Sequence, residues 1–168
     1  MIDFDYFALF GVAPAFTQDL PTLKARYLEL QQTMHPDNFV NALAHERQLA
    51  ISYAAAVNDA IKVLSCPLQR AIYLLKIKGV DTQSETDTQM PMAFLAEQME
   101  LREQLMDISD ESERITLENK INDAWQVCEK GLTETLDATQ TDLPAARLWV
   151  RKMQFYARLR EEVQLCLC

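Results

Sequence analysis

The chain has 168 residues, 49% of them hydrophobic, with only three glycines and a formal net charge of −9. The apolar share supports a packed core and excludes wholesale disorder, and the length fits one domain or two small ones. The excess acid argues against nucleic-acid binding, which needs a basic footprint.

The opening stretch MIDFDYF has acid where a signal or transit peptide needs base, and no apolar run approaches a membrane span. The expectation is a soluble cytoplasmic protein with no membrane partner. Asp5 to Val12 reads as a short helix with an aromatic-rich apolar face. Asp19 is a candidate N-cap for a second helix, with Pro21 in its first turn. Leu23, Tyr27, Leu30 and Met34 recur at helical spacing until Pro36, which cannot donate to a helix ladder, stops the pattern. A long helix starts near Leu43. Leu49, Tyr53, Ala56, Ala60, Val63 and Leu64 carry its apolar face to Ser65-Cys66, before Pro67. A shorter helix runs from Leu68 to Lys78 and closes at Gly79 in a C-cap position.

Residues 80–90, VDTQSETDTQM, are polar and aperiodic, the best linker between a domain at 1–79 and another at 91–168. Charge divides the same way. Residues 1–79 hold seven Lys/Arg against seven Asp/Glu, and residues 80–168 hold nine against eighteen. Three amphipathic helices are predicted in the second part: Pro91 to about Ile108, about Glu111 to Asp137, and about Leu143 to Gln164. Ile121, Trp125, Cys128, Leu132 and Leu136 form a stripe on the middle one. Leu148, Phe155, Leu159 and Val163 do so on the last. Joined by short loops, they read as an antiparallel bundle. With no strand pattern anywhere, the predicted fold is all-α: a helical hairpin, then a three-helix bundle.

Cysteines stand at 66, 128, 166 and 168, with no Cys-x-x-Cys pair and no disulfide-like spacing, so reduced thiols are expected. Cys166 and Cys168 offer two ligands at a chain end, a poor metal site. Neither a metal nor a cofactor is expected.

The stretch QTMHPDNF holds one of only two histidines. As a catalytic pair, His35 and Asp37 lack a nucleophile and a positioned partner. As a metal site they lack further ligands, His45 being the other imidazole. Local features fit an ordinary helix-terminating turn. The position adds more, because the tripeptide falls at the tip between two long helices. A rigid polar tip bearing a carboxylate suits docking into a cationic pocket.

Residues 1–78 resemble a J-domain, the module of DnaJ-type co-chaperones, in three ordered parts. Asp5-Tyr6-Phe7-Ala8-Leu9-Phe10-Gly11-Val12 resembles the family's opening helix. His35-Pro36-Asp37 matches its loop motif. Ala60-Ile61-Lys62-Val63-Leu64-Ser65-Cys66-Pro67, with Arg70 and Tyr73, resembles the end of its third helix and the start of its fourth. The resemblance implies that His35, Pro36 and Asp37 press onto a DnaK-type ATPase chaperone and speed its ATP hydrolysis, with no catalytic residue in this chain. Two departures stand out. The second helix, strongly basic in general J-domains, has only Lys24 and Arg26, and Asn38 stands where many relatives have Lys. Arg26 and the loop would carry more of the contact, which suggests a specialised chaperone partner.

On a helical wheel for residues 92–108, Phe94, Leu101, Leu105 and Ile108 share one face. Met92, Leu95, Met99 and Met106 share a second, roughly a third of a turn away. Glu97, Glu100, Glu103, Gln104 and Asp107 are expected to border it, with Arg102 at its other edge. Periodicity leaves two readings open: a recognition surface, or two apolar faces each buried against a neighbouring helix.

Phe94-Leu95-Ala96-Glu97-Gln98-Met99-Glu100-Leu101-Arg102-Glu103-Gln104-Leu105 resembles a block of the HscB family, the J-type co-chaperones of bacterial iron–sulfur cluster assembly. Val150-Arg151-Lys152-Met153-Gln154-Phe155 resembles that family's last-helix block. With the J-domain, the resemblance spans nearly the whole chain. It implies that the C-terminal bundle binds the IscU scaffold through Leu95, Ala96, Met99, Glu100, Arg102, Glu103 and Asp107, with Phe155 alongside. It also implies that the chaperone partner is HscA-type. Ala96 departs from the larger apolar residue of relatives, and the resemblance is expected to be to the bacterial type, without the zinc-binding N-terminal extension of some eukaryotic relatives. A general J-protein for unfolded clients would need glycine-rich linkers, zinc repeats or a β-rich domain. A small enzyme would need a third catalytic group beside His35 and Asp37. A purely structural adaptor would be indifferent to His35→Gln.

Overall fold

The computed structural model describes residues 4–33, 43–82 and 90–165. Met34, His35, Pro36, Asp37, Asn38, Cys166 and Cys168 lie outside the described residues, as does most of the expected linker. Described are α1 (Tyr6–Phe10), α2 (Leu20–Thr33), α3 (Ala44–Ser65), α4 (Pro67–Ile77), α5 (Met92–Met106), α6 (Glu111–Leu136) and α7 (Leu143–Leu165), with no strand among them. The all-α class is as expected. The chain divides into two compact units, Met1–Leu74 and Leu75–Cys168.

In the first unit, Asp5 caps α1 by accepting from the Phe7 amide at 3.0 Å. Gly11 ends that helix at φ 62°, a left-handed turn open to glycine. Phe7 and Phe10 on α1, Leu23 on α2 and Val57, Ala60 and Leu64 on α3 are buried. The Tyr27 hydroxyl on α2 donates to Asn58 Oδ1 on α3 at 2.9 Å. Leu49, expected on the apolar face of α3, is instead exposed. The buried line runs Ala50, Val57, Ala60 and Leu64, with the small Ala50 and Ala60 leaving room for close helix approach.

Pro67 breaks the helix after Ser65, and α4 leaves α3 at 108°. Arg70 on α4 is buried. Its Nε donates to the Phe16 carbonyl at 2.6 Å and its Nη1 to the Leu64 carbonyl, while its guanidinium sits 5.1 Å over the Phe16 ring. Arg70 therefore ties the α1–α2 connection to the end of α3. Tyr73 stacks on Tyr6 at 4.7 Å, and its hydroxyl accepts from the Tyr6 amide at 3.0 Å, one of the otherwise unpaired donors at the start of α1.

In the second unit, Asp110 caps α6 by accepting from the Glu113 amide at 2.9 Å, and the Glu113 carboxylate accepts back from the Ser109 amide at 2.9 Å. Leu117, Ile121, Cys128, Leu132 and Leu136 are buried along α6. The buried face of α7 is Ala146, Val150, Met153, Tyr156, Leu159 and Val163. Leu148 and Phe155, expected on it, are only half-buried. Phe155 meets Phe94 of α5 edge-on at 5.7 Å instead. Gly131 sits where α6 meets the Trp149 ring of α7, and a methyl there would fall 2.2 Å from Trp149 Cε2. Among the described residues no single helix is long and apolar enough to cross a membrane.

Candidate partner-binding face

Helix α5 is rich in Met, Leu, Glu, Gln and Ala, all good helix formers, and begins directly after Pro91. Phe94 and Leu101 bury one side of it, with Leu105 and Ile108 half-buried beside them. On the other side Met92 is 80% exposed, Met99 67%, Met106 76% and Leu95 38%. Between the two readings left open by periodicity, the second apolar face is therefore an exposed one. Ala96 and Glu103 are exposed on the same side, and Glu100 and Asp107 are exposed at its border.

Arg102 marks one edge. Its Nη1 donates to Glu162 Oε2 of α7 at 2.5 Å, and its guanidinium lies 6.0 Å over the Phe155 ring. Glu100 marks the other side. Its carboxylate accepts from Lys120 Nζ of α6 at 2.8 Å and from the Gln104 side-chain amide at 2.9 Å. The hydrogen bond to the Lys120 ammonium holds the Glu100 carboxyl below its usual range. Leu95, Ala96, Met99 and Glu103 thus share the exposed side of α5, with Arg102 over half-buried Phe155 at one edge and Glu100 and Asp107 at the other.

Glu97 is not on that border. Its carboxylate accepts from the buried Tyr156 hydroxyl at 2.7 Å, which turns it toward α7. Burial, and then the Glu97 carboxylate, pushes the Tyr156 phenol well above its ordinary value. Beneath, burial pushes the Cys128 thiol up to about 12, so it packs as a small apolar group. Among the described residues no three His, Cys, Asp or Glu side chains converge to hold a metal ion.

In the first unit, Lys24 and Arg26 are exposed on α2, and Arg26 Nη1 pairs with Glu29 at 3.0 Å. His35, Pro36, Asp37 and Asn38 lie outside the described residues.

A family model described as the HSCB C-terminal oligomerisation domain matches residues 90–164, a span that includes the whole α5 face. A co-chaperone protein HscB homolog of Shewanella sp. (strain MR-4) is 37% identical over 164 residues, covering 95% of this chain and 94% of that protein. One of Vibrio vulnificus (strain YJ016) is 38% identical over 165 residues, covering 96% and 95%.

The chain belongs to the HscB co-chaperone family.

Solved structures of HscB proteins agree. The chaperone HscB from Vibrio cholerae superposes with a TM-score of 0.82 at 34% identity, covering 96% of each chain. The human co-chaperone protein HscB gives a TM-score of 0.89 at 30% identity, covering 96% of this chain and 81% of the human one.

Within this HscB-family chain, sequence reasoning missed Lys120, Tyr156 and Glu162. Each meets an α5 residue from another helix. Charge and polarity at those positions are visible in sequence, but which residue of α5 they face depends on how the helices are set against each other.

Proposed function

We propose that this HscB-family chain is a cytoplasmic co-chaperone of iron–sulfur cluster assembly and not itself an enzyme. Residues 1–79 form the J-domain. Its His35-Pro36-Asp37 loop, with Lys24, Arg26 and Asn38 alongside, stimulates the ATPase of an HscA-type, DnaK-like chaperone. Residues 80–90 link it to residues 91–168, which deliver an IscU-type scaffold to that chaperone. The scaffold contact uses Leu95, Ala96, Met99, Glu100, Arg102, Glu103, Asp107 and Phe155.

The observation that carries the reading is the exposed row Leu95, Met99 and Met106 on α5, set between Arg102 and Glu100. A soluble helix leaves adjacent methionines in water at a free-energy cost, and an unbranched, polarisable patch with charged margins suits an irregular protein partner. Stimulation needs no hydrolytic group here. The J-domain binds the hydrolysis-competent state of the ATPase more tightly than its alternatives, and by linkage a bound scaffold that favours the same state adds to the effect.

The direct test of the second domain is the affinity of a purified IscU-type scaffold for Met99→Lys. A charge placed in the centre of the patch is expected to weaken binding at least tenfold. The melting temperature should stay within a few degrees, because Met99 is exposed. Unchanged scaffold affinity would remove α5 from the contact.

A further inference from the structure

We infer that Glu162 is a positioning residue for partner binding: it holds the Arg102 guanidinium over Phe155, so that the cationic edge of the α5 face is set before the partner arrives. The inference rests on the proposed scaffold face and adds to it a residue of α7 that makes no contact of its own in that reading.

The geometry is a three-part clamp. Glu162 Oε2 takes a hydrogen bond from Arg102 Nη1 at 2.5 Å. The guanidinium lies 6.0 Å over the Phe155 ring. Phe155 is itself fixed edge-on against the buried Phe94 at 5.7 Å and against Tyr156 at 5.4 Å. One carboxylate hydrogen bond uses one of the five guanidinium donors, so others stay available to an incoming acceptor. The side chains are 46% and 38% exposed, and ion pairs this open add little to folding stability. Their effect is on the arginine. A long side chain that moves freely before binding must be ordered on binding, at a cost of about threefold to tenfold in affinity. Held by Glu162, Arg102 is ordered in advance.

The test compares affinity for a purified IscU-type scaffold across wild type, R102A, E162A, the double variant and E161A. Glu161 is exposed on the adjacent position and its removal changes net charge by the same amount, so a long-range charge effect moves both variants alike. The expected result is a threefold to tenfold loss for E162A, little change for E161A, no further loss when E162A is added to R102A, and an unaltered melting temperature. Equal effects of E161A and E162A, tighter binding by E162A, or an undiminished E162A effect in the R102A background would overturn the inference. If R102A binds like wild type, Arg102 is no contact and the inference falls. M99K then decides separately whether the face itself stands.

Discussion

The Tyr156 hydroxyl of α7 donates to the Glu97 carboxylate of α5 at 2.7 Å, with the tyrosine ring buried against Phe94 at 5.9 Å. The bond is part-buried and accompanies a rotation of α5 that turns Phe94 and Leu101 inward and leaves Met99 and Met106 outward. Y156F keeps the ring and removes the bond. The expected cost is about 1.5–3 kcal/mol in urea denaturation, the usual net worth of a hydrogen bond to a charged group.

Gly131 gives a case in which two effects oppose each other. Gly→Ala inside a helix gains up to about 1 kcal/mol from propensity alone. Here the added methyl would stand 2.2 Å from Trp149 Cε2 and 2.6 Å from Cδ2, and overpacking costs about 1–3 kcal/mol or more. The steric term wins, so G131A should lower the melting temperature. Replacing Trp149 with a smaller residue in the same chain should make G131A markedly less harmful.

Arg70 is expected to matter for folding and not for partner contact. Removing its side chain in R70A strands the Phe16 and Leu64 carbonyls without these donors, at about 2–4 kcal/mol for the pair. R70K should recover only part, since an ammonium cannot reproduce the planar fork or lie flat on Phe16. Equilibrium unfolding of the three proteins checks the ranking.

Alkaline pH should destabilise the second unit. Burial raises both the Cys128 thiol, from 9.0 to about 12, and the Tyr156 phenol, from 10.0 upward. A group whose folded value is raised lets the unfolded chain lose its proton first. Stability from these groups is fully present below about pH 9 and falls as pH rises beyond it. Denaturation midpoints measured from pH 8 to pH 11 should decline, and C128A should decline less steeply. The same burial should make Cys128 slow to alkylate until the chain is unfolded.

Much of this fold was legible because punctuation is local. Pro67 ends α3 through a missing donor and does not depend on distant packing. Gly79, at φ 79°, marks the end of the turn after α4 in the same way. The Asp5 and Asp110 caps, by contrast, came to light only in the structure. Faces were harder. Leu49, Leu148 and Phe155 are large and apolar and read as core, yet small Ala50 and Ala146 and polar-tipped Tyr156 occupy the buried lines. Close helix approach favours small residues, and hydrophobicity by itself ranks them below leucine. On α5 apolar residues stand on both sides, so periodicity had no means of choosing, and only burial distinguishes Leu101 from Met99. The ion pairs of Arg102 with Glu162 and of Glu100 with Lys120 join residues far apart in sequence, and nothing local announces them.

In the proposed function one chain stimulates a chaperone ATPase through one domain and presents a scaffold with the other. Steady-state ATPase of an HscA-type chaperone and of a DnaK-type chaperone, each with and without this protein and an IscU-type scaffold, tests it most directly. The expected result is stimulation of the HscA-type enzyme that grows synergistically with scaffold and is lost in Asp37→Ala, with scaffold binding by that variant unchanged. Stimulation indifferent to the scaffold, or undiminished in Asp37→Ala, would contradict it.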